Sequence, residues 1–195
     1  RKASAKGMRM PFALAFLWVT GAGAAENLSV EAVRRGAAVE ISARATIDAS
    51  HAVVWDTLTD YNRLSEFIPG MQKSRVVEWR GSEAIVEQLG EAKFLFFSFP
   101  IDVTVGSTSR PPDQIRVRVV KGNLKRLEGG YRIEHTPEGR VVLHWDGVIE
   151  PDAILPPLLG EAVMRANIED QFTGMVNEIE RREAARRARA PVVRP

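Results

Sequence analysis

Hydrophobic and polar residues alternate over residues 37–47, so this segment is predicted to form a strand with one buried face. The period then lengthens to helical spacing, and either Asp48 or Ser50 is placed to cap the helix that follows. A further helical turn over residues 62–67 ends at Pro69-Gly70, which releases the chain into extended structure.

Beyond this turn the pattern is that of strands joined by short turns. Six segments are predicted to be strands, at residues 72–79, 83–89, 92–105, 114–121, 124–134 and 141–150. Strands joined by hairpin-sized turns form an antiparallel meander. Residues 114–121 and 141–150 alternate most cleanly, which gives the sheet one apolar face and one solvated face.

The C-terminal part carries apolar residues at helical spacing and predicts one long helix over residues 157–187. Residues 25–36 are predicted to be a polar lead-in, and residues 188–195 a disordered basic tail. The expected fold is α+β: a curved antiparallel sheet of about six to seven strands wrapped around the long helix. One helix does not cover such a concave face, so we expect a cavity between the sheet and the helix.

Residues 1–24 have a basic start, an apolar run and the small residues Ala22-Gly23-Ala24, the layout of a secretory signal peptide. This predicts a periplasmic or secreted protein. Two alternatives stay open. The segment is retained as a membrane anchor, or it is never made because translation starts further along the chain.

Composition narrows the possible chemistry. The 195 residues include no cysteine, which excludes disulfides and thiolate sites, and none of the three histidines has a partner at metal-ligand spacing. Residues 25–180 carry 17 basic and 24 acidic groups, which argues against nucleic acid as a partner. The arginine-rich C-terminus allows a peripheral contact with an anionic membrane. We expect no cofactor and no metal.

The segment ATIDASHAVVWDTLTDYNRLSEFIPGMQKSRVVE, residues 45–78, resembles the SRPBCC or START-like superfamily, in particular its polyketide cyclase/dehydrase and coenzyme Q-binding branch. LPPLLGEAVMRANIEDQFTGMVNEIE lies where that family has its last helix. The resemblance covers about residues 38–182. It implies a helix-grip fold with an apolar internal cavity. Members of the superfamily bind lipids, quinones, polyketides or hormones, and only some of them are enzymes.

On this architecture the ligand-binding residues are expected at the entrance, on the inner sheet face and on the last helix. The predicted set is Phe67, Ile68, Met71, Val117, Val119, Tyr131, Ile133, Leu143, Trp145, Leu158, Glu161, Arg165, Ile168 and Phe172. Glu161 and Arg165 are four residues apart and are predicted to pair in the apolar stripe as an anchor for a ligand headgroup. The alternative is a surface ion pair of little consequence.

Two other features have competing interpretations. His144 and Asp146 share a strand face, but it is the face opposite Leu143 and Trp145, so we expect solvated side chains and assign no catalytic residue. Residues 94–101 are apolar on both strand faces. They predict either a strand covered on both sides or a contact strand in a homodimer or at a membrane.

The leading functional hypothesis is binding or transport of an apolar small molecule such as a lipid, an isoprenoid quinone or a polyketide-like ring system. The first alternative is an aromatase/cyclase-type enzyme that uses Glu161, Arg165 or Tyr131 in acid-base chemistry. The second is an interaction module whose core is filled.

The leader generates the first prediction. Expressed with residues 1–24 in a Gram-negative host, the protein should be recovered from the periplasm with an N-terminus at or near Ala25. N-terminal sequencing of the fractionated protein measures this directly. An intact leader on a soluble cytoplasmic product would contradict the prediction.

Overall fold

The computed structural model describes residues 26–94, 97–152 and 160–189. The strands are β1 (Glu26–Arg35), β2 (Ala38–Ile47), β3 (Met71–Arg80), β4 (Glu83–Phe94), β5 (Phe97–Arg110), β6 (Gln114–Gly122), β7 (Leu124–His135) and β8 (Val141–Pro151). The helices are α1 (His51–Leu58), a short 3-10 helix (Tyr61–Glu66) and α2 (Gly160–Arg189).

All eight strands belong to one antiparallel sheet with the order β1-β2-β8-β7-β6-β5-β4-β3. Strands β3 to β8 form a meander, and β8 returns to pair with β2 along its whole length. The sheet stays open, with β1 and β3 at its edges. The predicted fold class, a curved antiparallel sheet with a long C-terminal helix, is confirmed, with eight strands rather than six or seven.

The additional strand comes from the segment predicted as a polar lead-in, and that prediction is wrong. Residues 26–35 form β1, which pairs with β2 at the edge of the sheet. Leu28, Val30 and Ala32 pack against the core on one face of β1. An edge strand needs only this short apolar stripe, because its other face remains in solvent.

The predicted strand boundaries at Gly90 and across residues 94–101 are also wrong. Gly90 continues β4, paired with Met71 on one side and Ile101 on the other, because a single glycine does not end a strand held by two neighbours. Phe94 pairs with Phe97, so the chain reverses direction between them and residues 94–101 are not one strand.

Helix α2 packs across the sheet from its middle onward, where Phe172, Met175, Val176 and Ile179 are buried in the main core. The helix contacts β1, β2, β4 and α1. Its predicted start near residue 157 lies outside the described residues. At the other end it continues to Arg189, two residues beyond the predicted boundary.

Two buried carboxylates attach the end of α2 to the first helices. Glu183, with a side chain only 3% exposed, accepts hydrogen bonds from the backbone N–H and hydroxyl of Ser50 and from Arg187. Ser50 occupies the N-cap position of α1 but makes no side-chain capping bond, because its hydroxyl donates to α2 instead. Glu178 accepts from Arg182, which also reaches Asp60, 2.9 Å away.

The segment after the 3-10 helix lies directly on α2. A methyl group placed on Gly174 would come within 2.5 Å of Pro69 Cδ and 2.6 Å of the backbone oxygen of Phe67. Glycine costs a helix interior about 1 kcal/mol relative to alanine. Here it permits a close approach that no other residue allows.

Gly174→Ala should therefore lower the free energy of unfolding by roughly 1–3 kcal/mol, the usual cost of overpacking, although alanine has the higher helix propensity. Chemical denaturation measures the change. Asn177→Ala, at an exposed position of the same helix, is the matched control and should be neutral or slightly stabilising. A more stable Gly174→Ala protein would contradict the close contact.

The carboxylates generate a prediction about pH. Hydrogen bonds from Arg186, and then from Arg187 and Ser50, lower the pKa of Glu183 from 4.5 to about 2, outweighing burial, which raises it. Because the folded-state pKa is depressed, this stabilisation is present above about pH 4.5 and is lost as the pH falls toward 2.

Glu183→Gln should destabilise the protein at neutral pH by roughly 1–3 kcal/mol, the range for hydrogen bonds to a charged group. The difference from the native sequence should shrink as the pH falls from about 4.5 toward 2. Unfolding titrations at several pH values test this. Glu66→Gln, which removes an exposed partner of Arg63, is the control and should leave the free energy of unfolding nearly unchanged. A pH-independent difference would contradict the assignment.

Candidate functional site

The structure contains the cavity predicted between the sheet and the last helix. Its volume is about 410 Å³, within the range of small-molecule sites. Strands β4 to β8 line one side, and the first half of α2 lines the other. The rim lies at Glu91 of β4, at Asn123 between β6 and β7 and at Asp152 just after β8, and Leu58, Tyr61 and Leu64 of the first helices line the opposite, closed end.

On β8, the sheet beside the cavity lacks a side chain at one position, Gly147. Gly147 shares a strand face with Trp145 and Ile149, and it is paired with Gly129 on β7. A methyl group on Gly147 would lie 2.7 Å from Trp145 Cη2 and 3.1 Å from Gly129 Cα. The indole of Trp145 therefore lies over a bare stretch of backbone.

Polar groups inside the cavity are few. The hydroxyl of Tyr61 accepts a hydrogen bond from Ser107 at 3.0 Å and lies 3.3 Å from the hydroxyl of Ser109. Tyr131 also lines the cavity, and burial raises the pKa of its hydroxyl to about 12. On α2, the side-chain amide of Gln171 donates to Asn167 at 3.0 Å.

Half of the predicted ligand-binding residues lie on the cavity wall. They are Ile68, Met71, Val117, Tyr131, Trp145, Ile168 and Phe172. Leu158 lies outside the described residues. Period-two alternation on β6 to β8 and helical spacing on α2 were the signals that placed these side chains.

Four other predicted residues do not reach the cavity. Phe67 packs under the guanidinium of Arg182, 5.4 Å from its ring centre. Ile133 and Leu143 are buried in the core at the far end of β7 and β8. Val119 lies beyond Arg118, the last residue of β6 that pairs with β7, so it sits where the two strands separate.

The predicted pair of Glu161 and Arg165 is wrong. Both side chains are exposed, and Arg165 pairs with Glu169 at 3.2 Å, whereas Glu161 accepts from the backbone N–H of Arg34. At 100° per residue, Arg165 lies about a quarter turn from the centre of the helix face that lines the cavity. The headgroup anchor proposed from these two charges therefore does not exist in this form.

His144 and Asp146 lie on the outer face of the sheet, as predicted, but only Asp146 is solvated, because the side chain of His144 is 16% exposed and its Nε2 is buried. Asp146 accepts a hydrogen bond from Ser42 at 2.7 Å, and His144 Nε2 lies 3.2 Å from a carboxylate oxygen of Glu134. Within residues 26–94, 97–152 and 160–189, no three histidine, aspartate or glutamate side chains are grouped to hold a metal ion. None of the described helices is long and apolar enough to cross a membrane.

Several cavity residues were not predicted. Gln88 follows Val86 at strand alternation, and Leu127 precedes Tyr131 in the same way, so both could have been assigned from the pattern. Asn167 and Gln171 lie among the apolar residues of α2, where a polar pair four residues apart is a usable signal. The Tyr61–Ser107 contact joins residues 46 apart and has no sequence signal.

Solved structures with the same fold include proteins of several kinds. The Zhui aromatase/cyclase from Streptomyces sp. R1128 is 18% identical, with a TM-score of 0.64 over 78% of this chain and 97% of that one. A STAR-related lipid transfer protein from Xanthomonas axonopodis is 16% identical, with a TM-score of 0.66 over 81% and 96%. Major latex-like protein 151 from Panax ginseng is 12% identical, with a TM-score of 0.55 over 76% and 99%.

At these identities the likeness shows the fold alone. Comparison with the sequences of curated proteins gives no significant match. The profile of the family described as polyketide cyclase / dehydrase and lipid transport matches residues 47–176, two-thirds of the chain. This match confirms the resemblance seen in residues 45–78. The chain belongs to the polyketide cyclase / dehydrase and lipid transport family, whose START-like fold here encloses an apolar cavity.

Proposed function

We propose that this protein binds and carries an apolar small molecule in the cavity between the sheet and α2, without chemical turnover. The ligand is a lipid, an isoprenoid quinone or a polyketide-like ring system. Binding is driven by removing apolar ligand surface from water, and a few polar groups set the orientation of the ligand. The family match and the largely apolar cavity wall support this function.

The observation that favours a carrier over a cyclase is that the described residues place no acid-base group in the cavity interior. The only acidic residues on the described wall are Glu91 and Asp152, both at the rim. Inside, Tyr131 has a pKa raised to about 12 and therefore remains protonated at neutral pH. Aldol condensation and dehydration need a base whose pKa lies near the working pH.

We also propose that the carrier acts outside the cytoplasm. The support is the leader pattern of residues 1–24, which lie outside the described residues. An aqueous compartment bounded by membranes is a setting in which an apolar molecule needs a protein that shields it from water.

Native mass spectrometry of the protein purified from its own host tests the carrier function. We expect a population with added mass, and organic extraction should release an apolar compound chemically unchanged after prolonged incubation with the protein. Conversion of the extracted compound would favour the cyclase. A protein that never carries or accepts an apolar guest would favour the filled interaction module.

A cavity-filling variant gives a sharper prediction. Ile168 lines the cavity from α2, and Ile168→Trp should place an indole in the space the ligand needs. Affinity for the neutral probe N-phenyl-1-naphthylamine should fall at least about tenfold, a change of 1.4 kcal/mol. Asn177→Trp adds the same group at an exposed position of the helix and should bind the probe normally. Equal binding by both variants would show that the probe sits elsewhere.

A further inference from the structure

The hydroxyl of Tyr131 has no hydrogen-bond partner among the described residues, although it lies inside the cavity. Its neighbours across the sheet are Ile115 on β6 and Trp145 on β8, both apolar at this point. The hydroxyl of Tyr61, by contrast, is satisfied by Ser107. A buried hydroxyl without a partner is costly, so an unpartnered one at a cavity wall is a candidate donor to a ligand.

Tyr131 lies deep in the cavity. It lies seven positions along β7 from Leu124, which is next to the rim residue Asn123. At the rise of a strand, about 3.3 Å per residue, this corresponds to about 23 Å. Tyr131 is half-buried and lines the cavity, and burial raises the pKa of its hydroxyl to about 12. The phenol is therefore a hydrogen-bond donor shielded from bulk water.

The described cavity wall offers no positive charge. No lysine, arginine or histidine lines it, and its two acidic residues lie at the rim. Each of these acids has an external lysine nearby: Glu91 lies 2.5 Å from Lys93, and Asp152 lies 3.6 Å from Lys125. An ionised carboxylate or phosphate carried to Tyr131 would lose its hydration and meet no cation to replace it.

We propose that the cavity selects uncharged ligands that carry a hydrogen-bond acceptor, such as an ester, ketone or quinone carbonyl, and that Tyr131 donates to this acceptor at the closed end. The ligand enters with its polar end first and leaves its apolar part along Leu127, Val117 and the first half of α2. This inference rests on the proposed carrier function and adds both a ligand class and an orientation.

Displacement of N-phenyl-1-naphthylamine by three probes that share a twelve-carbon chain tests the selection. Methyl laurate is uncharged and has an ester carbonyl, laurate is ionised at about pH 8, and 1-dodecene has no acceptor. The native protein should bind methyl laurate at least about tenfold more tightly than laurate, because transfer of the carboxylate is unfavourable. Equal affinities would overturn the proposal, because they would place the headgroup at the rim.

Tyr131→Phe tests the donor. It should weaken methyl laurate about three- to tenfold, the range expected for one neutral hydrogen bond, and should leave 1-dodecene unchanged or bound more tightly. Ser42→Ala, which removes a hydroxyl from the exposed outer face of the sheet, is the control. Because Ser42 lies outside the cavity, the ratio of methyl laurate to 1-dodecene affinity should stay as in the native protein. A parallel loss for both probes in Tyr131→Phe would show a packing effect and overturn the proposed role.

The two levels of the proposal fail in different ways. If N-phenyl-1-naphthylamine and all three probes fail to bind the native protein, the carrier function itself is wrong. If they bind without regard to charge, or if Tyr131→Phe is indistinguishable from Ser42→Ala, the carrier function stands and the ligand class is wrong. The ester-to-acid ratio of the native protein needs no variant, so it remains decisive if a substitution impairs folding.

Discussion

The site depends on how α2 packs against the sheet. One half of the helix is buried against the core, and the other half crosses the cavity. Val176 and Ile179 bury the second half against the sheet, and Phe172 and Met175 at the middle of the helix both join this core and line the cavity. Val163, Met164 and Ile168 on the first half face the cavity. A helix has a single apolar stripe, and an eight-stranded curved sheet offers more concave surface than that stripe covers. The cavity is the part of the concave face that the helix leaves uncovered.

The ion pairs at the end of α2 fix the position of this helix relative to the first helices. Glu178 and Glu183 are nearly inaccessible, and each is held by two arginines from the following turn of the helix. Hydrogen bonds from Arg181 and Arg182 lower the pKa of Glu178 to about 2, and Glu183 behaves likewise. A buried carboxylate that loses its partners is strongly unfavourable, so register between α2 and the first helices is well specified.

Much of the fold follows from periodicity, because a buried face demands it. Residues 37–47 and 141–150 alternate cleanly since they become the paired strands β2 and β8, and α2 is marked by its apolar stripe. β1 was missed because an edge strand with one modest apolar face differs little from a polar linker. Gly90 was misread as a turn because neighbouring strands, which the local sequence does not reveal, decide whether a glycine ends a strand.

The site was less predictable than the fold, because its residues are related by tertiary placement. Glu161 and Arg165 satisfied the helical spacing of a pair, yet the helix is rotated so that both face outward. Tyr131 was placed on the inner face by alternation. Its lack of a partner depends on strands β6 and β8 presenting only apolar groups beside it.

The contact between Gly147 and Trp145 means that the width of the cavity depends on the absence of a side chain at position 147. Any group larger than hydrogen at position 147 would force the indole off the backbone and into the space above it. The width of the cavity beside Tyr131 is thus determined by position 147, which would not contact the ligand. A relative with a larger residue at position 147 would need a smaller residue than tryptophan at position 145 to keep the same cavity width. The residues at positions 145 and 147 together therefore determine how wide a ligand the cavity accepts.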